Sequence, residues 1–146
     1  MRAPVILVGV DGSAESCAAL RWAIEQAAGH GGTRVEAMLA YHREPAVVPA
    51  MPLGLAPYAL RRHPARELHD AVQRVRATVA GAPDVAECVV VGDAAEHLVE
   101  ASKHAALLVI GTGGPASHRV AERCLRDAAC PVVVVPPANG HSALSR

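Results

Sequence analysis

The chain has 146 residues, 51% of them apolar, with no Phe and a single Trp, Trp22. That length suits one domain around one core of Val, Leu, Ile and Ala, which favours layered α/β packing and argues against an aromatic-rich β-sandwich. Fourteen Lys and Arg balance fourteen Asp and Glu, so a strong electrostatic pull toward nucleic acid or an anionic membrane is excluded.

The first residues, Met1-Arg2-Ala3-Pro4, do not lead into a secretory leader, and no apolar run approaches the ~20 residues that span a bilayer. A soluble cytoplasmic protein is expected. Val5-Ile6-Leu7-Val8-Gly9-Val10 is apolar without alternation, as a strand covered on both faces requires. It ends at Asp11-Gly12-Ser13. Ser13 can cap the following helix, and Glu15 in its first turn favours the helix dipole. Cys17, Leu20, Ile24 and Ala27 recur at helical spacing, and Gly29, Gly31 and Gly32 stop the run. Asp11 sits at the carboxyl end of a central strand, where a carboxylate faces a ligand crevice. The competing reading is that it only fixes the turn or caps the helix.

Val35 to Tyr41 is the second strand. From Glu44 to Arg61 the chain then carries Pro45, Pro49, Pro52 and Pro57 with no charge between its ends. Such a stretch continues neither a helix nor a central strand; it reads as a lid or contact surface, or as an insertion without a role. A helix begins at Pro64, with Leu68, Ala71 or Val72, Val75 and Val79 on one stripe. Gly81 and Pro83 end it. Val85 to Val91 is the third strand. Asp93 can cap a helix over 94–104, supported by Glu96. On that helix His97, Glu100 and His104 share a face. A metal reading is conceivable, but these residues lie opposite Ala95, Leu98 and Ser102, so a solvated face is preferred.

The fourth strand, Ala105 to Ile110, runs into Gly111-Thr112-Gly113-Gly114, a turn whose free N–H groups could cradle an anion. A helix over 115–129 follows, with Val120 or Ala121, Cys124 or Leu125, and Ala128 facing in. Pro131 to Val135 is the last strand, stopped by Pro136-Pro137, and the polar tail 138–146 is expected to be disordered. The domain is thus expected over 1–137. Cys17, Cys88, Cys124 and Cys130 form no CxxC pair and read as small buried apolar side chains rather than disulfide partners. Strands alternating with helices imply a doubly wound parallel sheet with helices on both faces. The crevice then lies at the carboxyl ends of the first and fourth strands, where the two turns converge.

At this point the chain resembles the universal stress protein family, from Pro4 to Pro136. The resemblance rests on Ile6 to Ser13, on Ala18-Ala19-Leu20-Arg21-Trp22-Ala23, on Gly92-Asp93-Ala94-Ala95-Glu96, on Leu107 to Gly111, and on Cys130 to Val135. It implies a five-stranded parallel sheet of order 3-2-1-4-5, adenine nucleotide alpha hydrolase-like. It also implies a homodimer paired through the last strand, Val132, Val133, Val134 and Val135. In one branch it implies ATP, with Mg²⁺, in the crevice. Carried onto this sequence, Gly9 and Asp11 match the first-strand contacts, Tyr41 sits where the second strand meets adenine, and Ile110, Gly111 and Gly114 match the start of the glycine motif.

The motif then departs from its pattern of glycine, two residues, glycine, nine residues, and Gly-Ser or Gly-Thr. Nine residues after Gly114 stand Cys124-Leu125. Aligned from the Cys130-Pro131 end, the position falls on His118-Arg119, which leaves Pro115-Ala116-Ser117 as a three-residue loop. The second half of the cradle is missing. Arg119 could reach an anion in its place, since guanidinium suits phosphate oxygens, or be a surface arginine. There is no nucleophile–base–orienter constellation and no metal-ligand set, so no catalytic residue is named and the chain is expected not to be an enzyme. An ATP pyrophosphatase or nucleotidyl transferase would show His-x-x-His or Ser-Gly-Gly-x-Asp patterns, which are absent. The expectation is a dimeric stress-response or regulatory protein with weak or no ATP binding. A protein partner fits that role. The alternative is an adenine-nucleotide-dependent switch.

Overall fold

A non-alternating apolar run needs cover on both faces, and β1 (Val5–Gly9) receives it at the centre of a parallel sheet. The structure, a computed structural model, describes residues 3–42, 63–113 and 115–137. The expectations for the stretch Glu44 to Arg61, for Gly114 and for the tail 138–146 fall outside the described residues. Along the chain follow α1 (Ala14–Gly29), β2 (Arg34–Tyr41), α2 (Pro64–Arg76), β3 (Val85–Val91), α3 (Ala94–Ala101), β4 (Leu107–Gly111), α4 (Pro115–Asp127) and β5 (Val132–Val135). The five strands lie in the order β3-β2-β1-β4-β5, all parallel, as the family resemblance implied.

Side chains alternate across a strand, and this divides the core in two. Ile6, Val8 and Val10 point with Val35, Ala37 and Leu39 toward α1 and α2, where Leu20, Ile24, Leu68 and Val72 are fully buried. Leu7, Met38, Leu108 and Ile110 point the other way, against Leu98 of α3 and Ala121 and Cys124 of α4. The choice between Cys124 and Leu125 therefore falls on Cys124, while Leu125 is 59% exposed. Burial pushes the Cys124 thiol up to about 11. The buried reading of the cysteines holds only there. Cys17 and Cys130 are half-buried, and Cys88 is exposed on the edge strand β3. All are free thiols.

The helix starts follow the expected chemistry. Ser13 Oγ accepts from the Ser16 N–H at 3.2 Å, and Asp93 Oδ2 accepts from the Glu96 N–H at 3.0 Å. The helix expected over 94–104 instead tightens after Ala101 into a 3₁₀ turn, Ser102–His104. Ser102 is buried, its Oγ donating to the Val99 carbonyl at 2.6 Å and accepting from the Ala129 N–H at 2.8 Å. That bridge draws the end of α3 against the approach to β5. No helix among the described residues is long and apolar enough to cross a membrane.

Candidate functional site

The turn after β1 is tied by side chains. Asp11 Oδ1 accepts from the Ser13 N–H at 2.9 Å and from the Ser13 hydroxyl. The Asp11 N–H donates to Ser16 Oγ at 3.1 Å, and Ser16 Oγ donates in turn to the Ser13 carbonyl at 3.1 Å. Gly12 closes the loop with φ +87°, a conformation open to glycine and strained for other residues. Partial withdrawal from water pushes the Asp11 carboxyl up, but the hydrogen bonds from Ser13 and Ser16 outweigh it and hold the group below its ordinary value. Both readings of Asp11 thus meet in one residue: it fixes the turn, and it lines the crevice.

The turn after β4 is packed by backbone. A Cβ on Gly111 would run into the Glu15 carbonyl oxygen and stand 3.2 Å from the Ser16 nitrogen. The first turn of α1 therefore rests on the bare backbone of Gly111. A Cβ on Gly113 would meet the Glu15 side chain, 2.6 Å from Oε2. Glu15 thus reaches from α1 to lie against the glycine turn. Beyond it, Pro115-Ala116-Ser117 is the first turn of α4 rather than a loop, with proline at the helix start where its missing N–H costs nothing.

Between these turns opens a cleft of about 730 Å³, a size that suits a small organic ligand. It brings together Gly9, Asp11, Ile110, Gly111 and Arg119. Gly9 also has a packing reason, since a Cβ there would stand 2.9 Å from Leu98 Cδ1. Tyr41 is not part of the lining. Strand alternation places it with the α1 and α2 core, and Met38, Ala40 and His42 face the cleft from β2 and its end. Gly114 lies outside the described residues. His118 does not line the cleft either; it pairs with Glu122 at 3.4 Å.

The sequence reading names Arg119 alone on α4. Arg123 and Arg126 also line the cleft, and the spacing of four and seven residues from Arg119 puts them on the same helix face. Asp127 engages both: Arg123 Nε lies 2.7 Å and Arg126 Nε 3.3 Å from its carboxylate oxygens. Their hydrogen bonds hold the Asp127 carboxyl below its ordinary value. Arg119 makes no ion pair or hydrogen bond among the described residues. On α3, His97 and Glu100 do not converge with His104. His97 Nε2 donates to the Val91 carbonyl at 2.8 Å, and Glu100 pairs with Lys103 at 3.0 Å. Among the described residues no group of three or more His, Cys, Asp or Glu is placed to hold a metal ion.

The sequence model of the universal stress protein family matches residues 4–136. The chain belongs to this family. Universal stress protein Rv3134c of Mycobacterium tuberculosis is 31% identical over 147 residues, which cover 97% of this chain and 52% of the relative. The chain therefore spans about half the length of the curated relatives it matches. Among solved structures, a universal stress protein in complex with cAMP is 28% identical, with a TM-score of 0.66 over 94% of this chain and 100% of that one. A family protein from Burkholderia pseudomallei is 35% identical, with a TM-score of 0.62 over 93% and 97%. UspA from Lactobacillus plantarum, at 24% identity and a TM-score of 0.67 over 92% and 99%, shares the fold.

Within this family fold the described residues present a guanidinium to an anionic group and little cradle for a chain of phosphates. Arg119 offers a guanidinium without a partner among the described residues. The space against Gly113 is taken by the Glu15 side chain, and α4 begins at Pro115 without a loop to wrap a chain of phosphates.

Proposed function

We propose that the cleft binds an adenine nucleotide and holds ATP weakly, and that the protein is a non-enzymatic, cytoplasmic regulatory module whose contact with partners follows ligand binding. The observation that carries this reading is the cleft itself. A volume of about 730 Å³ joins Gly9, Asp11, Ile110 and Gly111 to the guanidinium of Arg119, which has no partner among the described residues. Apolar Met38 and Ile110 offer a surface for a flat ring, Asp11 can accept from ribose hydroxyls or an amino group, and Arg119 can donate to phosphate oxygens. The related universal stress protein solved with cAMP supports the same reading. The Ser13 hydroxyl, which sits beside a carboxylate, is engaged as a helix cap rather than held as a nucleophile.

Isothermal titration with AMP, cyclic AMP and ATP·Mg²⁺, with assay of any nucleotide released on denaturation, tests the reading. The expectation is binding of an adenine monophosphate, with ATP weaker. Copurified ATP, or ATP as the tightest ligand, would contradict the weak-ATP part. No binding of any of the three at millimolar concentration would remove the site.

The reading includes a homodimer through β5. That strand is an edge that pairs only with β4 among the described residues, and Val132, Val133, Val134 and Val135 are each only half-buried. Pairing two such edges across a two-fold axis satisfies both. Sedimentation at tens of micromolar is expected to give the dimer mass, and a monomer would count against it.

A further inference from the structure

Glu15 stands in the first turn of α1, where it favours the helix dipole, yet its side chain does something no local rule requires. It crosses to the other turn and lies against Gly113, two residues before α4 begins. A glycine turn leading into a helix is where backbone N–H groups and the helix dipole favour an anion. Here a carboxylate belonging to the protein lies against the turn at Gly113. A ligand phosphate directed to the turn would meet a like charge as well as a filled space.

The remaining charges of the cleft point the same way. Asp11, Asp93 and Glu122 line it together with Glu15, facing Arg119, Arg123 and Arg126. Asp127 already engages Arg123 and Arg126. Its single carboxylate offsets one of those two charges, so the four lining carboxylates still outnumber the cations left to meet a ligand. A ligand with one negative charge can be met by Arg119, whereas each further phosphate adds charge to a cleft whose lining is already net acidic.

We infer that Glu15 sets the charge of the ligand: the cleft takes an adenine ligand with a single phosphate, best as a phosphodiester monoanion, and turns away di- and triphosphates. This inference rests on the adenine-nucleotide reading of the cleft and adds the residue that selects within it. Glu15 acts by repulsion, so its removal widens the range of ligands rather than abolishing binding.

The test titrates wild type, Glu15→Gln and Glu25→Gln with cyclic AMP, ADP and ATP, without Mg²⁺. Glu25 sits on the same helix, pairs with Arg21 at 3.1 Å and does not line the cleft, so its variant makes the same charge change elsewhere. In wild type, cyclic AMP is expected to bind about tenfold or more tighter than ATP. In Glu15→Gln the ATP affinity should rise about tenfold while that of cyclic AMP stays within about twofold, and Glu25→Gln should keep the wild-type ratio. Equal affinities in wild type, or an unchanged ratio in a folded Glu15→Gln, would overturn the inference and leave the adenine reading standing. Failure of every adenine ligand to bind wild type would overturn both. A salt series on wild type serves if Glu15→Gln does not fold. Screening should tighten ATP relative to cyclic AMP if repulsion governs. A ratio that is flat, or that moves the other way, overturns the inference.

Discussion

The two turns that meet at the carboxyl edge of the sheet differ in what holds them. After β1, side chains do it: Asp11, Ser13 and Ser16 satisfy one another and the start of α1. After β4, backbone does it: Gly111 lets the first turn of α1 rest directly on the strand end. Side chains can be exchanged one at a time and the turn survives in part. A backbone contact leaves no such margin. Gly111 is therefore expected to matter to the fold before any ligand is considered, and the first turn to tolerate more change.

This contrast orders the expected effects. Gly111→Ala should be the most damaging, because neither α1 backbone nor β4 can give way cheaply; a loss of about 3 kcal/mol or more in urea unfolding is expected. A loss under about 1 kcal/mol would show that α1 shifts readily and would erase the contrast. Next comes Ser102→Ala, which removes the buried hydroxyl that accepts from the Ala129 N–H and should cost about 1–2 kcal/mol in the same assay. Ser13→Ala removes the α1 cap and should cost about 1 kcal/mol. If it cost as much as Gly111→Ala, the first turn would be no more tolerant than the second.

A smaller effect concerns pH. The Asp11 carboxyl is held below its ordinary value of 3.8, so folding favours its ionised form. Its contribution is fully present above 3.8 and is lost as pH falls through the lower folded value. The stability difference between wild type and Asp11→Asn, followed by urea unfolding across pH, should therefore be steady near neutrality and shrink in acid. A difference that grew in acid would reverse the assignment. The smallest effect is expected on α4: Leu125→Ser, at an exposed position, should change monomer stability by less than about 0.5 kcal/mol.

The sheet was legible because its signals are local. Non-alternating runs at Val5–Gly9 and Leu107–Gly111, caps at Ser13 and Asp93, and the stripe of Leu68, Val72 and Val75 each follow from neighbours in sequence. The strand order came with the family resemblance. Tyr41 was not legible. The run from Val35 to Tyr41 is apolar at nearly every position, so its parity is set by the pairing of Gly9 with Met38 across strands. Arg123 and Arg126 were readable from their spacing to Arg119. Glu15 was not, because its approach to Gly113 joins positions far apart in the chain, and nothing local distinguishes it from a carboxylate favouring its own helix dipole. The stop of α3 at Ala101 has the same origin, in the long-range bond from Ala129 to Ser102.

The claim on which the account turns is that the cleft between these turns is a nucleotide site. Amide chemical-shift mapping on the labelled protein tests it most directly. On addition of cyclic AMP, saturable shifts are predicted at Gly9, Asp11, Gly111 and Arg119, with the exposed β3 edge around Cys88 unmoved. Saturable shifts confined to surfaces away from the cleft, or none at millimolar nucleotide, would contradict it.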